Sequence, residues 1–133
     1  MTIPDQVKTA LERLNAAGHE TYVVGGAVRD FVRGAPRAQD WDLATAALPQ
    51  QTQAVFRDFP LIETGLKHGT VTVLLDGMPL EITTFRVDGA YTDHRRPDGV
   101  RFTGRLEEDL ARRDFTINAM AWSPQCGLVD PFG

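Results

Sequence analysis

Residues 21–30 read TYVVGGAVRD, an apolar run followed by a glycine pair and an amphipathic segment. The β-branched and aromatic start predicts a strand, Gly25 and Gly26 interrupt it, and residues 27–33 predict a short helix. Paired glycines let the backbone approach a ligand, and a helix N-terminus with Arg29 on its first turn suits an anion. An ordinary strand-to-helix turn is the alternative interpretation. The segment matches neither standard phosphate loop, so kinase, GTPase and Rossmann classes are not indicated.

Helical and strand patterns surround this segment. Helices are predicted from Pro4 to about Gly18 and at 49–56, 106–112 and 115–122, and strands at 40–44, 70–75, 79–85 and 128–129. Asp76-Gly77 predicts a tight turn between two of the strands. Residues 86–101 are rich in turn formers and charge, and predict a long mobile loop. The mixture indicates an α+β fold with one sheet backed by helices.

The composition limits the class of protein. The chain has 133 residues, 42% hydrophobic and 24% charged, which are ordinary values for one soluble domain. No uncharged apolar run approaches the roughly 18 residues of a membrane span, and the N-terminus lacks the apolar segment of a secretory signal. Cys126 is the only cysteine, which excludes a disulfide framework and a cysteine-rich zinc site. These features predict a cytoplasmic protein with no membrane partner, and they leave its oligomeric state open.

The charge balance is acidic, but the kind of base is informative. Fourteen Lys+Arg against 18 Asp+Glu give a net charge of -4, which argues against a domain that grips nucleic acid with its whole surface. Twelve of the bases are arginine, the side chain suited to bidentate phosphate contacts. Seven of the twelve lie between Arg86 and Arg113. Composition alone does not explain this cluster.

Three carboxylates fall within predicted strands. Asp40 and Asp42 flank Trp41, so the two carboxylates are expected on one face of the strand and the indole on the other. Carboxylates placed in this way suit Mg²⁺, which combines one or two of them with substrate phosphates. A solvated strand edge is the ordinary alternative. Glu81 interrupts an apolar strand, where it either completes a three-carboxylate cluster or faces solvent from a half-exposed hairpin.

Five motifs occur together and in order: VGGAVRD at 24–30, DWDLAT at 40–45, GLKHGT at 65–70, EITTFR at 81–86 and RRDFTINAM at 112–120. Together they closely resemble the catalytic head of the bacterial-type (class II) tRNA nucleotidyltransferase and poly(A) polymerase family. The resemblance extends from about Tyr22 to the last residue. Its specificity comes from the combination, because each motif alone is weak.

The resemblance implies a polymerase-β-like nucleotidyltransferase fold, a twisted, mixed and mostly antiparallel sheet flanked by helices. It implies that Asp40 and Asp42 are catalytic and hold two Mg²⁺ ions, with Glu81 as a candidate third catalytic carboxylate. Asp42 is also the expected general base. The residues implied to bind the nucleotide are Gly25, Gly26, Arg29, Arg112 and Arg113.

The implied reaction is template-independent transfer of CMP or AMP, from CTP or ATP, to the 3′-hydroxyl of tRNA. The RNA hydroxyl attacks the α-phosphorus and pyrophosphate leaves. A poly(A) polymerase or A-adding enzyme is the alternative within the enzyme class. An isolated head that binds nucleotide or metal without efficient catalysis is the alternative outside it.

Two further expectations concern the extent of the chain. Residues 88–98 resemble the family's flexible loop at full length, which favours CCA or A addition. The family pattern continues into helical neck, body and tail regions that these 133 residues lack. The resemblance therefore implies that residues 1–133 are a catalytic head, and that the tRNA 3′ end is bound mainly by regions outside it.

Overall fold

The structure, a computed structural model, describes residues 3–33, 41–62, 69–88, 100–111 and 120–129. The elements in these ranges are α1 (Asp5–Ala16), β1 (Thr21–Val24), α2 (Gly26–Arg33), β2 (Trp41–Thr45), α3 (Pro49–Val55), β3 (Leu61–Ile62), β4 (Thr70–Leu75), β5 (Met78–Thr84), β6 (Arg86–Asp88), β7 (Val100–Phe102), α4 (Leu106–Ala111), β8 (Ala121–Ser123) and β9 (Gly127–Val129). Within these ranges no helix is both long enough and apolar enough to cross a membrane. The mixture of helices and strands confirms the predicted α+β class.

Seven strands form one mixed sheet in the order β3-β4-β5-β2-β1-β8-β9. β2 and β5 run parallel at its centre, and the other neighbouring pairs run antiparallel, as predicted. The predicted turn between β4 and β5 is present. Asp76 and Gly77 have φ angles of 49° and 85°, the left-handed conformation that a two-residue hairpin turn of this kind requires.

Alternation along the strands gives the sheet two different apolar faces. The first face meets α1, α2 and α3 in the larger core, whose strand residues include Val23, Trp41, Leu43, Val71, Leu80 and Ile82. The second face packs against α4 in a smaller core of Tyr22, Val24, Ala44, Phe85, Leu106, Leu110 and Ala121. Trp41 is buried in the first core as predicted, so its neighbour Asp42 projects from the second face.

The loop predicted for residues 86–101 is wrong at both ends. β6 and β7 pair antiparallel there, with Arg86 opposite Phe102, and form a separate two-stranded sheet. The backbone N–H of Thr103 donates to the carbonyl of Phe85 at 2.9 Å, which ties this ribbon to the end of β5. Turn-forming residues dominate the sequence of residues 86–101 and hide the strands. The pairing of β6 with β7 instead depends on contacts between segments that are not adjacent in the chain. Residues 89–99 lie outside the described ranges.

The helix predicted for residues 115–122 is wrong at its C-terminal end. Ala121–Ser123 is strand β8, which pairs with β1 on one side and β9 on the other. A short apolar run does not distinguish a helix from a buried strand, and here the pairing with β1 decides the outcome. Residues 112–119 lie outside the described ranges. Strand β3 was not predicted, because two residues carry no periodic signal.

Candidate active site

The two central strands place two of the predicted carboxylates side by side. Asp42 on β2 and Glu81 on β5 are register partners in the parallel pair. Val24 lies opposite Asp42 on β1, and Thr72 lies opposite Glu81 on β4, so the four residues form one row across the second face. Neighbouring strands lie about 4.8 Å apart, so the two carboxylates are within reach of one ligand. Asp42 is half-buried and Glu81 is exposed.

Gly25 lies directly beside this row, where β1 ends. Its φ angle is +76°, a backbone conformation that side chains disfavour. A Cβ at this position would lie 3.1 Å from Oδ2 of Asp42. The missing side chain therefore leaves room for the carboxylate, whereas the approach of a ligand to the glycine pair stays a prediction.

The carboxylates open into a cavity of about 250 Å³. Its lining residues are Val24, Gly25, Asp42, Leu43, Ala44, Thr70, Glu81, Thr83, Arg86 and Asp109. Three of the predicted site residues, Gly25, Asp42 and Glu81, are thus brought together. The cavity extends across four strands of the sheet, from β1 to β4, which is about 14 Å at the usual strand spacing.

The other predicted site residues either do not line the cavity or lie outside the described ranges. Gly26 begins helix α2, and the backbone N–H of Arg29 donates to the carbonyl of Gly25 at 3.1 Å, one turn into that helix. Arg29 is half-buried and is not among the cavity-lining residues. Asp40 and the pair Arg112 and Arg113 lie outside the described ranges, so their roles stay predictions.

Sequence reasoning missed Asp109 and Arg86. Asp109 is 1% exposed, and its Oδ1 accepts a hydrogen bond of 3.0 Å from the backbone N–H of Arg86. This bond joins α4 to β6, the strand that follows β5. The available signal was helical spacing, because Asp109 follows the buried Leu106 by three residues and so shares its inward face.

Two threonines were missed as well. Thr70 on β4 and Thr83 on β5 are register partners, and their Oγ1 atoms lie 2.9 Å apart in a hydrogen bond. Both line the cavity, in the row two residues along the strands from Asp42 and Glu81. In the sequence they are two of several β-branched residues in alternating strands, so nothing local distinguishes them from ordinary strand formers.

The donor set is chemically suitable for a hard divalent cation. Adjacent carboxylates repel each other unless a cation lies between them, and oxygen donors of this kind are those that Mg²⁺ prefers. Asp42 and Glu81 supply such oxygens on one face of the sheet. Among the residues that the structure describes, no group of three or more acidic, histidine or cysteine side chains is close enough to hold a metal. The pair therefore fits a metal site that needs at least one further ligand.

The sheet, the cavity and the paired carboxylates are those of an α+β protein with a candidate metal-dependent active site. Comparison with known proteins identifies the family. Residues 21–133 match the family described as the poly A polymerase head domain. The chain belongs to this family. It has the mixed sheet and flanking helices of the nucleotidyltransferase fold, as the resemblance implied.

Individual relatives are also similar. The chain is 52% identical over 123 residues to the CCA-adding enzyme of Geobacillus thermodenitrificans, covering 92% of this chain and 30% of that protein. The crystal structure of the Bacillus stearothermophilus CCA-adding enzyme with CTP superimposes with a TM-score of 0.85 at 43% identity, covering 100% of this chain and 31% of that one. A tRNA nucleotidyltransferase with a primer tRNA and an incoming ATP analogue gives a TM-score of 0.69 at 28% identity, covering 93% and 34%. The chain thus spans about a third of the length of these relatives.

Proposed function

We propose that this chain is the catalytic head of an enzyme that transfers CMP and AMP from CTP and ATP to the 3′-hydroxyl of tRNA. The observation that carries the proposal is the register of Asp42 with Glu81 inside one cavity beside Gly25. Relatives named as CCA-adding enzymes, one of them solved with CTP, support the choice of nucleotides and acceptor. Because the chain spans about a third of their length, we propose that tRNA is held largely outside residues 1–133.

The proposed division of labour follows the sheet. The nucleotide triphosphate is bound by Gly25, Gly26, Arg29, Arg112 and Arg113. Backbone N–H groups at the start of a helix and guanidinium groups both favour phosphate. Asp40 and Asp42 would hold two Mg²⁺ ions, with Glu81 as the candidate third carboxylate. When bound, these ions would supply positive charge against the phosphates and would lower the pKa of the attacking hydroxyl.

The residues of the protein then orient the two substrates for a single displacement at the α-phosphorus. The 3′-oxygen of the RNA forms a bond to the α-phosphorus, and the bond from the α-phosphorus to the bridging oxygen breaks, so that pyrophosphate leaves with that electron pair. Asp42 accepts the proton of the attacking hydroxyl. Its position is restrained by Gly25 on one side and by the register with Glu81 on the other.

The test removes one carboxylate at a time in the full-length protein. Asp42→Asn keeps the shape of the side chain but removes the charge and the base, and we expect loss of nucleotide incorporation by about 10³-fold or more. Glu81→Gln should reduce incorporation in the same direction. Asp76→Asn is the matched control, because this exposed carboxylate lies in the β4–β5 turn, away from the cavity. Incorporation is measured with Mg²⁺ or with excess EDTA, on tRNA lacking its 3′ end, with each labelled nucleotide separately.

The outcomes separate the candidate activities. Incorporation of C followed by A supports CCA addition, and incorporation of A alone indicates an A-adding enzyme or poly(A) polymerase. Binding without incorporation indicates a nucleotide- or metal-binding head. Full activity of Asp42→Asn would contradict the proposed site.

A further inference from the structure

The cavity has a polar end that the proposed nucleotide and metal residues do not use. Two rows of register partners cross the second face: Asp42 and Glu81 in the first, and Ala44, Thr83 and Thr70 in the second. The rows are two residues apart along the strands, or about 7 Å. Gly25 lies beyond the first row, on the opposite side from the threonines. The carboxylates are thus flanked by the glycine turn at one end and by a pair of hydroxyls at the other.

The hydroxyl pair has the chemistry of a sugar subsite. Thr70 and Thr83 use one donor and one lone pair in their mutual bond of 2.9 Å, which leaves the pair able both to donate and to accept. A ribose hydroxyl is likewise a donor and an acceptor. A phosphate, in contrast, only accepts hydrogen bonds, so it would leave the acceptor capacity of the pair unused. This end of the cavity therefore suits a neutral polyol better than a triphosphate.

The geometry of the proposed reaction determines which sugar this is. In a phosphoryl displacement the attacking and leaving oxygens lie roughly in line on opposite sides of the phosphorus. If the triphosphate lies on the Gly25 side of the carboxylates, the attacking hydroxyl must come from the opposite side. That side is the one lined by Thr83 and Thr70.

We infer that the hydroxyl pair of Thr70 and Thr83 binds the ribose of the RNA acceptor's terminal nucleotide through its 2′-hydroxyl. The contact holds the adjacent 3′-hydroxyl beside the carboxylates and makes the enzyme prefer an acceptor that ends in a ribonucleotide. Thr83, on the same strand as Glu81, makes the principal contact, and Thr70 orients its hydroxyl. This inference rests on the proposed function and assigns a subsite to it.

The test is a double-mutant cycle between the protein and the acceptor, measured as kcat/KM for incorporation by the full-length protein. Thr83→Val keeps the branched shape and strand preference but removes the hydroxyl. With an acceptor ending in a ribonucleotide we expect a loss of about fivefold, the effect of one hydrogen bond. With an acceptor ending in a 2′-deoxynucleotide we expect a further loss of less than about twofold, because the partner of the hydroxyl is already absent. Thr70→Val should show the same pattern more weakly, and Thr83→Ser should restore the preference.

Thr72→Val is the matched control. Thr72 lies on β4 with Thr70 and faces the same way, but it does not line the cavity, so this variant should keep the wild-type preference for the ribonucleotide end. The KM for CTP should be unchanged in the Thr83 variant.

Equal losses on both acceptors would overturn the inference, since they indicate a general structural effect. A loss that instead depends on replacing CTP by its 2′-deoxy analogue would also overturn it, because the hydroxyl pair would then contact the incoming nucleotide. Absence of incorporation by the wild-type protein would overturn the proposed function, whereas normal wild-type incorporation without the predicted coupling would overturn this subsite alone.

Discussion

At the scale of single residues, Gly25 contributes to the site through the side chain that it lacks. Two features of this position favour glycine. Its φ angle is +76°, which favours glycine in any turn. In addition, a Cβ added there would lie 3.1 Å from Oδ2 of Asp42, the candidate catalytic carboxylate. Replacing Gly25 should therefore affect stability and activity by separable causes.

Gly25→Ala tests this separation. We expect a loss of stability of about 1–2 kcal/mol from the left-handed backbone, together with a loss of nucleotide incorporation from displacement of Asp42. Gly18→Ala is the control, because Gly18 has a φ angle of +90° but its added Cβ would meet no atom within 4 Å. Urea unfolding and initial incorporation rates measure the two effects. Loss of activity in Gly18→Ala equal to that in Gly25→Ala would show that strain alone is responsible.

At the scale of secondary-structure elements, one ion pair joins α1 to the segment after α3. Arg13 donates from Nη1 and Nη2 to the two carboxylate oxygens of Asp58 at 2.9 and 3.0 Å, and from Nη1 to the carbonyl of Val55 at 3.1 Å. Its guanidinium also lies 4.7 Å from the ring centroid of Phe59. The contacts hold two helices together on the face of the sheet opposite the candidate site.

This ion pair predicts a pH dependence of stability. The hydrogen bond from Arg13 lowers the pKa of Asp58 below its ordinary value of 3.8. A carboxyl group whose pKa is lowered by folding stabilises the folded state above its unfolded pKa, and this contribution is lost as the pH falls through the lowered value. Asp58→Asn should therefore be less stable than wild type at pH 7, and the difference should disappear as the pH falls through the lowered pKa of Asp58.

Urea unfolding of both proteins at a series of pH values checks this expectation. Because the pair is solvent-exposed, the difference at pH 7 should be small and should decrease with added salt. Arg57 is exposed and directly precedes Asp58, and its charge is the smallest of the effects that lower the pKa of Asp58, so Arg57→Gln should show the same pH dependence much more weakly. A difference between Asp58→Asn and wild type that persists unchanged at low pH would contradict the role of the ion pair.

At the scale of the whole molecule, the central sheet has a core on each face, and only one of the two lies beside the candidate site. Trp41 belongs to the first core and Trp122 packs against it, whereas α4 covers the second core through Leu106 and Leu110. The same strands carry side chains into both cores. Loss of packing on one face should therefore destabilise the other face as well.

Leu110→Ala tests this coupling. Leu110 is fully buried, so its truncation should cost about 2–5 kcal/mol in the free energy of unfolding. Tryptophan fluorescence, which reports on the first core, should shift its unfolding midpoint together with far-UV circular dichroism. Leu128→Ala, at an exposed position on β9, should change stability by less than about 1 kcal/mol. Separate transitions for fluorescence and dichroism would show that the two cores unfold independently.

The sequence predicted much of the architecture, because most elements carry their own local signal. Alternation over 70–75 and the Asp76-Gly77 turn predicted the β4–β5 hairpin, and the position of Trp41 predicted the face that Asp42 takes. The elements that it missed or misassigned are those formed by pairing alone. β3, β8 and the β6–β7 ribbon are two or three residues per strand, too short for a periodic pattern.

The motifs in order determined, without any structure, the family and the residue types available for chemistry. Only the tertiary structure decided that Asp42 meets Glu81 in register, that Gly25 makes room for the carboxylate, and that two threonine hydroxyls lie in the same cavity. The physical reason is the range of the interactions. Periodicity specifies which face of its own strand a side chain occupies, whereas strand order and register depend on packing between segments far apart in the chain, and the cavity exists only where those segments meet.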